Sequence, residues 1–254
     1  MKLKILGCSG GIGSNLRTTS MLLDHDVLID AGTGVGDLSL DELSKIDHVF
    51  LTHSHLDHIA FIPFMLDSVA GMRDRPLMIY ATEETLAALR QHIFNWIIWP
   101  DFSSIPSPEQ PYMRYKRISS GDTIVLNGRA ISALPANHTV SAIGYRLDSG
   151  QASLVFTGDT TTHDEFWVQA NKIDNLKYLI IETAFSNVEK ELAMLSKHLC
   201  PSLLTEELLK LKSQPEIFIT HLKPGEGNET MREILASVLI NRPKMLMNDQ
   251  VFEF

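Results

Sequence analysis

The sequence predicts an α/β fold, a four-layer αββα sandwich with two sheets face to face and helices outside. Both halves consist of strand-rich segments punctuated by helices, and no repeat, low-complexity tract or long linker divides the 254 residues, so one compact domain over 1–254 is expected. A further observation concerns polar residues. His and Asp side chains recur just past the ends of predicted strands, where loops of a rigid sheet can converge.

In the first half, strands are expected at residues 2–6, 20–23 and 27–29, the last two separated by the turn-prone Asp24-His25-Asp26. Residues 47–52 form another strand, and the segment after His58 should be helical. Residues 77–81 read as a strand and 83–94 as a helix with Thr82 as N-cap. In the second half, strands fall at 123–126, 130–134, 143–147, 153–156 and 216–220. Helices are expected at 165–170, 188–195, 202–211 and 229–239. The stretch 95–115 stands apart: Trp96, Trp99, Pro100, Phe102, Pro106, Pro108 and Pro111 predict an ordered aromatic and proline-rich insertion, serving as a functional lid or packed on the core.

Composition narrows the function classes. With 44% hydrophobic and 21% charged residues the chain reads as an ordinary globular protein. The net charge of -9 argues against coating a polymeric nucleic acid, which needs dense Lys and Arg. It leaves small anionic substrates open, because bound cations bring their own positive charge. Cys8 and Cys200 form no CxxC pair, so neither a disulfide framework nor a zinc finger is indicated. The strand-like first seven residues do not resemble a secretory signal, and no apolar run reaches membrane-spanning length. A cytoplasmic protein without membrane partners is expected.

The densest signal is His53-Ser54-His55-Leu56-Asp57-His58, which places four metal-ligand side chains in six residues at the end of a strand. Three imidazoles and a carboxylate there, with further candidates downstream, suit two divalent ions better than one closed tetrahedral site. The downstream candidates are His138 after strand 130–134, Asp159 after strand 153–156, and His221 after strand 216–220. A single histidine at a strand end is commonly structural; the combined pattern is much harder to obtain by chance.

The ordered set His53, His55, Asp57, His58, His138, Asp159 and His221 resembles the ligand set of the metallo-β-lactamase superfamily. That resemblance implies the αββα fold of the metallo-β-lactamase type. It also implies that His53, His55 and His138 hold one metal, that Asp57, His58 and His221 hold a second, and that Asp159 bridges them. Asp30 matches the superfamily's aspartate near the first metal site, where it would orient a ligand histidine. Within the superfamily, His53-Ser54-His55-Leu56-Asp57-His58-Ile59 is similar to the signature of the class II cyclic-nucleotide phosphodiesterases. The segments Asn95-Trp96-Ile97-Ile98-Trp99-Pro100-Asp101-Phe102, Lys197-His198-Leu199-Cys200-Pro201-Ser202-Leu203 and Ile219-Thr220-His221-Leu222-Lys223-Pro224 also resemble that family. Glu182 and His198 look like the glutamate motif and later histidine of RNase Z-like phosphodiesterases. Two departures bear on pocket shape: Ala60-Phe61-Ile62-Pro63 replaces small residues, and Lys197 stands where the family usually has Gly.

The implied activity is hydrolysis of 3′,5′-cyclic nucleotides, cyclic AMP first among them, to 5′-nucleotides. Two divalent ions, zinc first with manganese or iron as alternatives, would activate the attacking water. His198 would protonate the leaving 3′-oxygen, with Glu182 behind it, and Asp57 is counted with both ligands and catalytic groups. Trp99 would stack on the base, and Thr160 and His198 would touch substrate. The alternatives are an RNase Z-like hydrolase of RNA or another phosphodiester, and a di-iron sensor that hydrolyses nothing. The aromatic loop also admits a homodimer.

Overall fold

Apolar runs too short for helices and rich in β-branched residues condense here into two seven-stranded sheets. The computed structural model describes residues 1–238 and 242–254. The first sheet begins with the antiparallel strands β1 (Lys2–Gly7), β2 (Ser20–Leu23) and β3 (Val27–Ala31). It continues in parallel through β4 (His48–Phe50), β5 (Leu77–Ala81) and β6 (Met113–Arg117). The second sheet runs antiparallel through β7 (Thr123–Leu126), β8 (Arg129–Pro135), β9 (Ile143–Asp148) and β10 (Ser153–Phe156). It then turns parallel through β11 (Leu176–Glu182), β12 (Glu216–Thr220) and β13 (Lys244–Met245). The last strand, β14 (Val251–Glu253), returns to pair with β1.

The side-chain period of two sorts each strand between two cores. Met21, Leu23, Ile29 and Phe50 of the first sheet meet Tyr145, Leu154, Phe156, Ile180 and Phe218 of the second in the inner core. Their neighbours Leu22, Leu28 and Val49 face outward under α1 (Leu40–Ser44), α2 (Leu56–Ile59), α3 (Phe61–Val69) and α4 (Glu83–Ala88). Val155, Leu179, Ile181, Ile217 and Ile219 do the same in the second sheet, with α5 (Asp164–Ala170), α6 (Lys190–Leu195), α7 (Pro201–Leu208) and α8 (Gly227–Ser237). Being covered on both faces, β3 and β10 are buried along their whole length. The four αββα layers expected from the sequence are present.

Two of the expected spans differ in kind. The helix expected at 83–94 is α4 followed by a π-helical turn at Leu89–Ile93, closed by the Phe94 amide on the Leu89 carbonyl at 2.9 Å. The insertion expected at 95–115 ends early, because Met113–Arg117 is β6 and Met113 is fully buried. That strand's charged sequence, Arg114 to Arg117, suits an edge and hides it from a hydrophobic reading. Within the insertion Phe102 is buried in the outer core, while the tip at Trp96, Ile97 and Ile98 is exposed. The expected end of the last helix at Leu239 lies outside the described residues. Among the described residues no helix is long and apolar enough to cross a membrane.

Candidate metal centre

Every ligand-type residue singled out sits beyond the carboxyl end of a strand, the edge at which open α/β sheets bind ligands. The loop after β4 carries His53 and His55, and α2 brings in Asp57 and His58. From the second sheet, His138 follows β8, Asp159 follows β10, Glu182 closes β11 and His221 follows β12. Ligating atoms of His53, His55 and His138 lie within 4.8 Å of one another, and so do those of Asp57, His58, Asp159 and His221. Asp159 faces both groups. Its Oδ2 is 3.7 Å from His53 Nε2 and 3.3 Å from His58 Nε2, while Oδ1 is 3.3 Å from His221 Nδ1.

Hydrogen bonds behind the rings fix which nitrogen points inward. The Thr52 amide and hydroxyl both donate to Asp30, at 2.8 Å each. A hydroxyl has one proton, so Thr52 Oγ1 must accept from His53 Nδ1–H, 2.9 Å away. His58 Nδ1–H donates to Asp30 Oδ2 at 2.7 Å, and His138 Nδ1–H to the Lys197 carbonyl at 3.0 Å. With Nδ1 engaged, each of these rings turns its Nε2 towards the centre. His53 Nε2, His58 Nε2 and His221 Nδ1 are buried with no hydrogen-bond partner among the described residues. His138 Nε2 lies 3.2 Å from His55 Nδ1, so the two rings converge on one point. Buried lone pairs without donors, beside a buried carboxylate, form a donor set that fits divalent cations.

The electrostatics agree with that fit. Burial pushes His53 well below the ordinary imidazole value, His138 down to about 4 and His221 down to about 3, which favours the neutral form that a cation needs. Burial would raise Asp159, yet His221 and His58 hold it well below the carboxylate range. His58 is the exception: burial opposes its charge, but Asp159 and Asp30 outweigh burial and raise it.

Beside the ligands lies a second buried pair. His198 Nδ1–H donates to Glu182 Oε1 at 2.8 Å. The His198 ring stacks on His221 at 5.2 Å and meets His138 edge-on at 4.9 Å. Glu182 is fully buried and also accepts the Thr160 and Ala184 amides at 3.1 Å and the Leu199 amide at 3.4 Å. Burial raises its carboxyl. Burial would lower His198, but Glu182 outweighs burial and lifts it.

Several backbones around the centre are strained. Asp30, Lys197 and His221 adopt φ of 56°, 53° and 62°, in the left-handed region that side chains disfavour. Gly158 turns the chain into Asp159 at φ 62°, where a Cβ would come within 2.9 Å of the Ile143 carbonyl.

Of three sequence expectations here, two need revision. Asp30 keeps its expected place behind a histidine of the first group, reaching His53 through Thr52, and it also holds His58 of the second group directly, because α2 swings that ring back towards β3. Trp99, expected to stack on a base, packs edge-on against Phe64 at 5.2 Å and joins the outer core. The Thr160 hydroxyl is already engaged by the Asn137 amide and the Thr161 carbonyl, so the residue braces Glu182 instead of reaching for substrate. The sequence reading missed Thr52 and Asn137. Thr52 adjoins the motif, and its hydroxyl was the available signal.

A profile of the family described as "Beta-lactamase superfamily domain" matches residues 25–240. A "Probable 3′,5′-cyclic-nucleotide phosphodiesterase" of Yersinia pestis is 27% identical over 220 residues, covering 77% of this chain and 62% of the relative. A ribonuclease Z of Staphylococcus haemolyticus is 28% identical over 167 residues, covering 59% of this chain and 50% of the relative. The chain thus spans less than two thirds of either relative's length. Unliganded yeast PDE1 superposes with a TM-score of 0.80 at 16% identity, over 98% of both chains. The metallo-beta-lactamase fold protein YhfI of Bacillus subtilis superposes at 0.78 with 19% identity, over 99% of this chain and 98% of that one. At such identities the two structures speak to the fold alone.

Proposed function

Because the chain belongs to the beta-lactamase superfamily of metal-dependent hydrolases, we propose that it is a two-metal phosphodiesterase that opens 3′,5′-cyclic nucleotides, cyclic AMP first among them, to 5′-nucleotides. The observation that carries this reading is the buried Glu182–His198 pair at 2.8 Å, set edge-on to ligand His138. Thioester hydrolysis has no need of such a pair, because a thiolate leaves unprotonated, whereas an alkoxide leaving from phosphorus needs a proton donor. The Yersinia relative's printed activity points the same way.

His53, His55 and His138 would hold one cation, Asp57, His58 and His221 the other, and Asp159 both, with zinc as first choice for this His/Asp set. Bound there, divalent cations supply Lewis-acid charge that activates water and offsets charge on phosphoryl oxygens. The chain's own residues do the rest. Glu182 keeps His198 Nδ1 occupied, so Nε2 is the atom that hands a proton to the leaving 3′-oxygen. Asp57, with its side chain 30% exposed, stands at the mouth and orients the incoming water. Thr160 steadies Glu182 from behind.

An RNase Z-like hydrolase of RNA is the second reading, favoured by the ribonuclease Z relatives and opposed by the net charge of -9. Zinc- or manganese-loaded protein should release 5′-AMP from cyclic AMP, and His198→Ala should slow the reaction without stripping metal. Inertness towards every cyclic mononucleotide, with brisk cleavage of a tRNA precursor, would replace the first reading by the second. Stoichiometric iron with no turnover of either would indicate a sensor.

A further inference from the structure

We infer that Lys197 is a positioning residue that clamps metal ligand His138 and, through its own strained backbone, sets the His198 ring beside it. Three independent observations meet at this residue. Helix α6 ends at Leu195, and the amides beyond it fold back in register: Lys197 N–H reaches the Met194 carbonyl at 3.3 Å, and His198 N–H reaches the Ala193 carbonyl at 2.8 Å. This is the Schellman arrangement, whose left-handed residue is usually glycine. Here the left-handed position, φ 53°, is occupied by lysine, and His198 is the residue the cap delivers next.

A lysine there accepts a conformation that glycine would adopt freely, so its side chain must contribute something glycine lacks. The Lys197 ammonium donates to the His138 carbonyl at 3.1 Å and to Asn137 Oδ1 at 3.2 Å. Its own carbonyl accepts His138 Nδ1–H at 3.0 Å. Residue 138 is thus held at both ends by residue 197, backbone to ring and ammonium to backbone. The clamp extends into a closed ring. Asn137 is tied to Thr160 at 3.0 Å, Thr160 to Glu182 at 3.1 Å, and Glu182 to His198 at 2.8 Å. Loops after β8, β10 and β11 therefore share one hydrogen-bonded frame that closes through Lys197.

Outer partners of ligating histidines fix ring orientation, and their removal characteristically weakens metal affinity by about 10–100-fold. The inference rests on the two-metal reading but not on the identity of the substrate. It is tested with the full chain by zinc titration against a chromophoric chelator, alongside thermal unfolding of the metal-free protein. Lys197→Gly keeps the cap and relieves its strain, while Lys197→Met removes only the ammonium. Both variants should weaken one of the two zinc-binding steps about tenfold and leave the other nearly unchanged. Metal-free Lys197→Gly should melt no lower than the parent, and Lys197→Arg should recover part of the lost affinity. Unchanged affinity at both steps in the Gly and Met variants would overturn the clamp. Parent protein that takes up no zinc would instead overturn the metal centre itself.

Discussion

The two halves of the candidate metal centre are each built around one fully buried carboxylate, and they use it differently. In the first half, Asp30 serves a single stretch of chain: it takes the Thr52 amide and hydroxyl and the His58 ring, and through Thr52 it orients His53. In the second half, Glu182 gathers groups from separate segments, the amides of Thr160, Ala184 and Leu199 and the ring of His198. The difference follows from how the ligands are spaced. Four ligands in six residues need one local anchor, whereas His138, Asp159 and His221 arrive on different loops and need cross-linking. In both places burial raises the carboxyl, and donated hydrogen bonds from neighbouring groups oppose the shift.

That contrast can be broken by mutation. The largest effect is expected at Asp30, where Asp30→Ala leaves Thr52 and His58 without their acceptor inside the core. Chemical unfolding of the metal-free protein should show a loss of about 3–5 kcal/mol, the range for breaking a buried ionic contact. Zinc should come next: free metal a thousandfold above its Kd should stabilise the native chain by about 4 kcal/mol, read as a raised unfolding midpoint that EDTA abolishes. Glu182→Gln preserves an acceptor oxygen and should cost less stability, about 1–2 kcal/mol. Its main effect should be on turnover of the loaded enzyme, falling about 10–100-fold with metal content retained, because His198 loses its partner.

A third buried carboxylate sharpens the contrast from outside the centre. Asp26 lies among buried residues, and burial alone would raise it, but Arg129, whose Nη1 sits 2.6 Å away, dominates and holds it below its ordinary value. A depressed carboxyl contributes stability that is complete above its unfolded value, about 4, and is lost as pH falls through the lower folded value. Arg129→Met should remove or reverse that acid dependence. Urea midpoints at about pH 6 and pH 3 would show it, and an unchanged slope in the variant would count against the pairing. The smallest effect is expected at Trp99. Trp99→Phe should shift stability by less than about 1.5 kcal/mol and leave turnover alone, since the ring packs on Phe64.

The same contrast explains what was legible in the chain. The His53–His58 stretch announces itself because its ligands are contiguous, and the strand periodicity of 20–23, 77–81 and 153–156 matches the folded strands. Asp30 was legible as an anchor but not its hold on His58, since the answer depends on where the first turn of α2 carries the His58 ring. Glu182 was legible only through its resemblance to a glutamate motif, since the strand it closes, Leu176–Glu182, is not among the expected ones. Strand β6 escaped notice inside an aromatic, proline-rich stretch because an edge strand with charged residues lacks the alternation that marks a half-buried one. Lys197 was visible only as a departure from glycine. Its left-handed backbone comes from the end of α6, which no property of a lysine side chain predicts.

In the two-metal reading, a pair of cations shares Asp159 between two sets of ligating side chains. Anomalous diffraction from crystals of the zinc-loaded chain tests it most directly. Two peaks are expected, one against His53, His55 and His138, the other against Asp57, His58 and His221, both in contact with the Asp159 carboxylate. A single peak, or zinc bound away from Asp159, would contradict it.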